Sequence, residues 1–62
     1  MNNITLTIRR TSKKWYGKCT YNGEVFHTAV EVSDDTLTKL IIAMGEKIND
    51  SFVVFNLHYK NG

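Results

Sequence analysis

The dipeptide Asn22-Gly23 constrains the fold more than any other feature of this chain. It separates two runs rich in aromatic and β-branched residues, WYGKCTY and EVFHTAVEV. A type I′ turn needs positive φ at both central positions, which Asn and Gly tolerate best, so the pattern predicts a two-residue β-hairpin. The register then follows, with Tyr21 opposite Glu24 and Trp15 opposite Val30.

The hairpin register divides the side chains between two faces, because successive side chains of a strand point to opposite sides. The face predicted to meet the core carries Trp15, Gly17, Cys19, Tyr21, Phe26, Val30 and Val32. The face predicted to be mostly polar carries Tyr16, Lys18, Thr20, Val25, His27, Ala29 and Glu31. The hairpin therefore supplies one buried face and one face that is free for solvent or a partner.

Three further segments complete the predicted secondary structure. ITLTIR alternates apolar and polar residues, which is typical of a half-buried strand, and SFVVFNLHY is predicted to be another strand. Between them, SDDTLTKLIIAMGEKIND is predicted to be a helix capped by Ser33 or Asp34, with first-turn acids that suit the positive end of the helix dipole. Its core stripe consists of Leu37, Leu40, Ile41, Met44 and Ile48.

The element order is therefore β-β-β-α-β, in a single domain of residues 1–62. A helix with one apolar stripe covers one face of a sheet. We expect an α+β fold with a four-stranded, mostly antiparallel sheet and one helix packed on one face. A right-handed crossover places strand four beside strand one, in the order 3-2-1-4, and placement beside strand three is the alternative. In either order the far face of the sheet lacks a second helix.

The short chain favours self-association. A domain of 62 residues buries only about 60% of its unfolded surface, and such domains are often stabilised by disulfides, metals or a partner subunit. A single cysteine, Cys19, cannot form an internal disulfide, and an intermolecular one needs an oxidising compartment. We therefore expect a homodimer.

Protein binding is the function that the sequence favours. Ile42 lies off the helical stripe, Phe52 and Val54 point away from the core in the predicted fourth strand, and apolar surface of this kind indicates a partner. The predicted protein interface comprises Ile42, Gly45, Phe52, Val54 and His58. We expect a non-enzymatic inhibitor or regulator of another protein, of the kind that phages and mobile elements direct against host proteins.

Nucleic-acid binding is the alternative function. Residues 1–23 carry five cations and no acid, whereas residues 24–62 carry three cations and six acids, so the halves have charges of +5 and −3. A basic half of this kind can meet an anionic partner. The candidate contacts are Arg9, Arg10, Lys13, Lys14, Tyr16, Lys18 and His27. A homodimer in which the basic half of one copy meets the acidic half of the other is a second interpretation of the same charge asymmetry.

Other kinds of chemistry have little support in the sequence. Cys19, His27 and His58 lack the paired spacing of zinc ligands, although a His27–His58 site across the sheet or a dimer axis is left open. Asp34 and Asp35 are explained by helix capping and so do not indicate an acid/base pair. The hairpin register puts Cys19 and His27 on opposite faces, so they cannot form a nucleophile and its base. We therefore expect no catalytic residues, metal, cofactor or small-molecule substrate. The sequence has neither a membrane-spanning run nor an apolar signal core, so we expect a cytoplasmic protein, in the host cytoplasm if phage-encoded.

Overall fold

The computed structural model describes residues 2–50 and 52–60. Its elements are β1 (Asn2–Arg10), β2 (Lys14–Tyr21), β3 (Glu24–Glu31), α1 (Thr36–Ile48) and β4 (Val53–Lys60). The predicted β-β-β-α-β order and the α+β class are thus confirmed. Ser51, the first residue of the predicted fourth strand, lies outside the described residues, and β4 itself begins at Val53.

The sheet has the strand order β3-β2-β1-β4. Strand β1 pairs antiparallel with β2 and parallel with β4, and β2 pairs antiparallel with β3. The structure therefore has the first of the two predicted orders, and strand four does not lie beside strand three. Strands β3 and β4 are the two edges of the sheet.

The hairpin between β2 and β3 forms with the predicted turn and register. Asn22 has a φ of 52° and Gly23 a φ of 78°, the positive values that a type I′ turn requires. Tyr21 pairs with Glu24, and the ladder continues to Lys14 opposite Glu31. Val32 was predicted to extend the core face, but it lies beyond β3 and is 47% exposed.

A second turn, between β1 and β2, is held by one side chain. The Thr11 hydroxyl donates to the Lys14 carbonyl at 2.7 Å and accepts the Lys14 N–H at 2.9 Å. The Thr11 N–H also donates to the Lys14 carbonyl at 2.9 Å. Because these bonds satisfy the backbone at the turn, the polar connection RTSKK reverses the chain without a glycine.

The helix begins later than predicted and is capped differently. Ser33 and Asp34 are not its caps, because the N-cap is Asp35 and its side chain makes no capping bond. The Thr36 hydroxyl instead makes two hydrogen bonds with the backbone of Ser33. It accepts the Ser33 N–H and donates to the Ser33 carbonyl, both at 2.7 Å. The first turn contains no acid, since Asp34 and Asp35 precede it. At the other end, Asn49 has a φ of 58° and its N–H donates to the Gly45 carbonyl.

The core lies between α1 and one face of the sheet. Its buried side chains are Ile4, Leu6, Ile8, Cys19, Leu40, Met44 and Ile48. The predicted helical stripe is confirmed, with Leu37 and Ile41 partly buried beside it. The helix packs chiefly against β3 and β2, so the edge strand β4 receives little cover from it.

The loop from α1 to β4 is fixed by Asp50. Its Oδ1 accepts the Phe52 N–H at 2.9 Å, and its Oδ2 accepts the Tyr21 hydroxyl. The hydrogen bond from Tyr21 holds the pKa of Asp50 below its ordinary value. The same bond raises the pKa of Tyr21. Asp50 thereby ties the end of the hairpin to the start of β4.

Candidate functional site

The face of the sheet opposite the helix is open and basic. Side chains that point to this face, in strand order from β1 to β4, are Asn3, Thr5, Thr7, Arg9, Lys14, Tyr16, Lys18, Thr20, Val25, His27, Ala29, Glu31, Val54, Asn56, His58 and Lys60. Among these described strand residues, Glu31 is the single acid, and it lies at one end of the edge strand β3. Positive charge is therefore concentrated on one side of the molecule.

Two cross-strand rows form the centre of this basic face. In one row Arg9 lies between Tyr16 on β2 and Lys60 on β4, as the register of both ladders shows. The Arg9 guanidinium stacks over the Tyr16 ring at 4.5 Å from its centroid. The adjacent row runs His27, Lys18, Thr7 and His58. A shallow depression of about 220 Å³ spans both rows.

The structure divides the anion-binding residues predicted from the sequence. Arg9, Tyr16, Lys18 and His27 lie together around the depression. Lys14 also faces the open side, but it is at the end of β2 opposite Glu31, and Lys13 lies in the preceding turn.

Arg10 does not join the open face. It points to the helix side, where its guanidinium stacks over Tyr59 at 4.7 Å and over Trp15 at 5.6 Å. The alternation of side chains along β1 requires this, because Arg9 and Arg10 are neighbours in one strand.

Two residues of this face were missed or assigned elsewhere by sequence reasoning. Lys60 was not a candidate, yet it lines the depression beside Arg9. His58 was assigned to a protein interface, yet it shares a row with Lys18. The signal that could have found them is the alternation of strand four combined with its parallel pairing to strand one, a pairing that the sequence left open.

The predicted protein interface falls on two separate surfaces. Val54 and His58 face the open side of the sheet, and Phe52, just before β4, is 72% exposed. Ile42 lies on the opposite layer, where it points away from the core stripe of α1 and is 55% exposed. Gly45 lines a shallow groove beside Ile42 but packs against no other element, because no atom other than its chain neighbours and the backbone of its own helix lies within 4 Å of a Cβ built on it.

The edge strand β4 exposes apolar side chains, chiefly on its helix side. Val54 is exposed on the open side, and Leu57 and Tyr59 are each 40% exposed on the helix side, where Phe55 is half-buried. The alternation of side chains along β4 puts Leu57 and Tyr59 on the core side of the sheet. They remain exposed because α1 packs over β2 and β3 and leaves β4 largely uncovered.

Within the described residues, the cysteine and the two histidines are not placed to act together. Cys19 is buried, and desolvation raises the pKa of its thiol, so the reactive thiolate is disfavoured and an intermolecular disulfide through it is not accessible. His27 and His58 are three strands apart, about 14 Å at the usual strand spacing, so one chain cannot join them at a metal ion. No cluster of metal-binding side chains occurs within residues 2–50 and 52–60.

No protein-family model, no curated protein and no solved structure matches this chain. Within the described residues, α1 is too short and too polar to cross a membrane. The two surfaces described above, the basic open face and the apolar edge strand, are therefore the features from which a function is inferred.

Proposed function

We propose that this protein is a non-enzymatic protein-binding module that works as a homodimer assembled through β4. The observation that carries the proposal is the exposed apolar surface of this edge strand, formed by Leu57 and Tyr59 on the helix side and by Val54 on the open side. An edge strand presents unpaired backbone N–H and C=O groups, and a long apolar edge is a ready template for pairing with another chain.

The two edges of the sheet differ in a way that favours β4. Strand β3 is covered by α1 on one face and begins and ends with the acids Glu24 and Glu31. Within Val53–Lys60, the one Lys or acidic side chain is Lys60, at the end of the strand. Charged residues protect an edge from pairing, and β4 lacks that protection along most of its length.

A two-fold axis at the middle of β4 gives a self-complementary pairing. Two antiparallel copies that meet at Leu57 place Phe55 of one copy opposite Tyr59 of the other, on the helix side. The same register places Lys60 opposite Val54, so the two lysines stay apart. The product is a continuous eight-stranded sheet in which the exposed apolar side chains of both copies cover one another.

Inhibition or regulation of another protein follows from the same edge. A target that offers an extended apolar segment can add it to β4 as a fifth strand, with backbone hydrogen bonds for affinity and side-chain contacts for specificity. Such a target competes with the second copy for one surface. The protein therefore exchanges a homodimer for a complex with its target.

The solution mass tests this proposal. We expect light scattering after gel filtration to give twice the 7.1 kDa of one chain at micromolar concentration. Leu57→Glu brings two carboxylates together at the two-fold axis and should give a monomer. Val25→Glu is the matched control, since Val25 is an exposed apolar residue of the other edge strand, and it should leave the dimer intact.

Two outcomes would contradict the proposal. A wild-type monomer at high micromolar concentration would exclude the homodimer. A dimer that survives Leu57→Glu but dissociates with Ile42→Asp would place the interface on the helix instead of β4. Circular dichroism of each variant separates loss of association from loss of folding.

A further inference from the structure

The positive charges of the open face are not explained by protection of sheet edges. Arg9 and Lys18 belong to β1 and β2, which are the two central strands of the sheet. Edge protection by charge acts on strands with unpaired backbone, and these strands have partners on both sides. A cluster of cations in the middle of a face that contains almost no acid is an electrostatic pattern that attracts an anionic partner.

The grouping of these cations suits a chain of phosphates. Lys60, Arg9 and Tyr16 stand side by side on three neighbouring strands, and Lys18 lies in the next row. Strands are about 4.8 Å apart, so the row from Tyr16 to Lys60 spans about 10 Å. The depression between them has a volume of about 220 Å³, below the roughly 300–1,000 Å³ of small-molecule sites, and lies on the broad face of the sheet, which suits an extended polymer better than a small phosphate ester.

Tyr16 adds a second property, a surface on which a base can stack. The ring is partly exposed and carries the Arg9 guanidinium at 4.5 Å. An aromatic ring with an adjacent arginine is a common stacking platform for unpaired bases. Thr5, Thr7, Thr20 and Asn56 surround the cations on the same face and offer hydrogen-bonding groups.

Double-stranded nucleic acid fits this face less well. Duplex DNA is read by an element that enters its major groove, usually a helix or a two-stranded ribbon. The basic residues here lie on the broad face of a sheet instead, and the one helix lies on the opposite side of that sheet. A flexible single strand can follow such a surface and turn its bases towards it.

We propose that the open face binds single-stranded nucleic acid, with Arg9, Lys18 and Lys60 contacting phosphates and Tyr16 stacking on a base. The site uses a face of the sheet, whereas the proposed dimer uses the edge of β4, so either proposal can fail without the other.

Fluorescence anisotropy of the full chain with labelled oligothymidylate and oligouridylate of about 12 nucleotides tests the site. We expect binding at low salt that weakens as salt rises. Three phosphate contacts give a slope of about −2 in a plot of log K against log salt, at about −0.7 per contact. Comparing the two oligonucleotides shows whether the site prefers DNA or RNA.

The variants separate phosphate contacts from stacking. Lys18→Gln and Lys60→Gln should each weaken binding and reduce the steepness of the salt slope by about 0.7. Tyr16→Leu should weaken binding by roughly 5- to 150-fold and leave the slope unchanged. Lys47→Gln is the matched control, because it removes the same charge from the helix on the other side of the sheet.

Three results would overturn the proposal. Absence of binding at low salt would exclude the site. If Lys47→Gln and Lys18→Gln weaken oligonucleotide binding equally, the binding depends on the net charge of the protein and not on a site on the open face. A duplex of the same length, or poly-glutamate, that binds as tightly as the single strand would assign the face to duplex nucleic acid or to an acidic protein instead.

Discussion

At the residue scale, Asp50 has a role that its position in the sequence does not reveal. Its carboxylate accepts hydrogen bonds from the Tyr21 hydroxyl and the Phe52 N–H, and so joins the hairpin to the start of β4. The sequence prediction counted Asp50 among six acids and made it the last residue of the helical segment, whereas α1 ends at Ile48. The bond to Tyr21 depends on the placement of two residues 29 positions apart, which no local pattern predicts.

The pair of Tyr21 and Asp50 predicts how stability depends on pH. The pKa of Asp50 is lowered by the Tyr21 hydrogen bond, so its contribution is present above its unfolded pKa and is lost as pH falls through the lower folded value. The pKa of Tyr21 is raised by Asp50 from its ordinary value of 10.0, so its contribution is present below pH 10.0 and is lost as pH rises through the higher folded value.

Urea unfolding across this pH range measures both losses. Tyr21→Phe should lower the free energy of unfolding at neutral pH, because it removes the hydrogen bond. It should also remove the alkaline loss of the free energy of unfolding that Tyr21 causes, and reduce the acid loss that Asp50 causes. A variant whose pH profile is parallel to that of the wild type throughout would show that the pair does not couple to folding.

Gly45 provides a second prediction at the residue scale. It lies inside α1, and no atom other than its chain neighbours and the backbone of its own helix lies within 4 Å of a Cβ built at this position. Gly45→Ala should therefore raise the free energy of unfolding by about 1 kcal/mol, through helix propensity alone. Thermal unfolding should show a rise in Tm of about 4–8 °C for a domain of this size. If the variant instead disrupts association, Gly45 belongs to an interface as the sequence suggested.

At the scale of the element, the hairpin is the part that local chemistry defines best. Its turn requires positive φ at Asn22 and Gly23, and the observed angles have that sign. Once the turn has two residues, each pair in the ladder follows by counting, from Tyr21 opposite Glu24 to Trp15 opposite Val30. The sequence was therefore sufficient for β2 and β3.

In the turn, replacing a glycine by alanine should change the free energy of unfolding in the opposite direction from Gly45→Ala. Gly23 has a φ of 78°, and a Cβ in this region costs about 1–2 kcal/mol although open space surrounds the position. Gly23→Ala should therefore lower the free energy of unfolding by about that amount in urea titrations. A neutral effect would mean that the turn relaxes to another type, and amide exchange along β2 and β3 would then show a changed register.

The helix illustrates where element-scale reasoning was incomplete. Its buried stripe of Leu40, Met44 and Ile48 follows from a period of 3.6 residues. The first residue of the helix does not follow from this period, because several polar residues precede the helix and each of them can act as an N-cap. The Thr36 hydroxyl bonds with both backbone groups of Ser33, which fixes the chain before the helix and leaves the N-cap at Asp35.

At the scale of the whole molecule, the position of β4 determines both candidate surfaces. Beside β1, it brings Lys60 next to Arg9 and leaves its own far edge unpaired. If β4 lay beside β3, β3 would be paired on both sides and β1 would be an edge strand instead. In the proposed dimer, the two open faces lie on the same side of one continuous sheet, so a single strand could cross from one copy to the other.

The sequence by itself determined the type and order of the elements, the hairpin register and the inward stripe of the helix, because each depends on turn chemistry or on the period of neighbouring side chains. Only the tertiary structure decided that Lys60 joins Arg9, Tyr16 and Lys18, and that Leu57 remains exposed. The pairing of β1 with β4 joins residues about fifty positions apart across a helical crossover, where two strand orders satisfy the same local preferences. Packing of α1 over β2 and β3 left β4 at the edge with little cover.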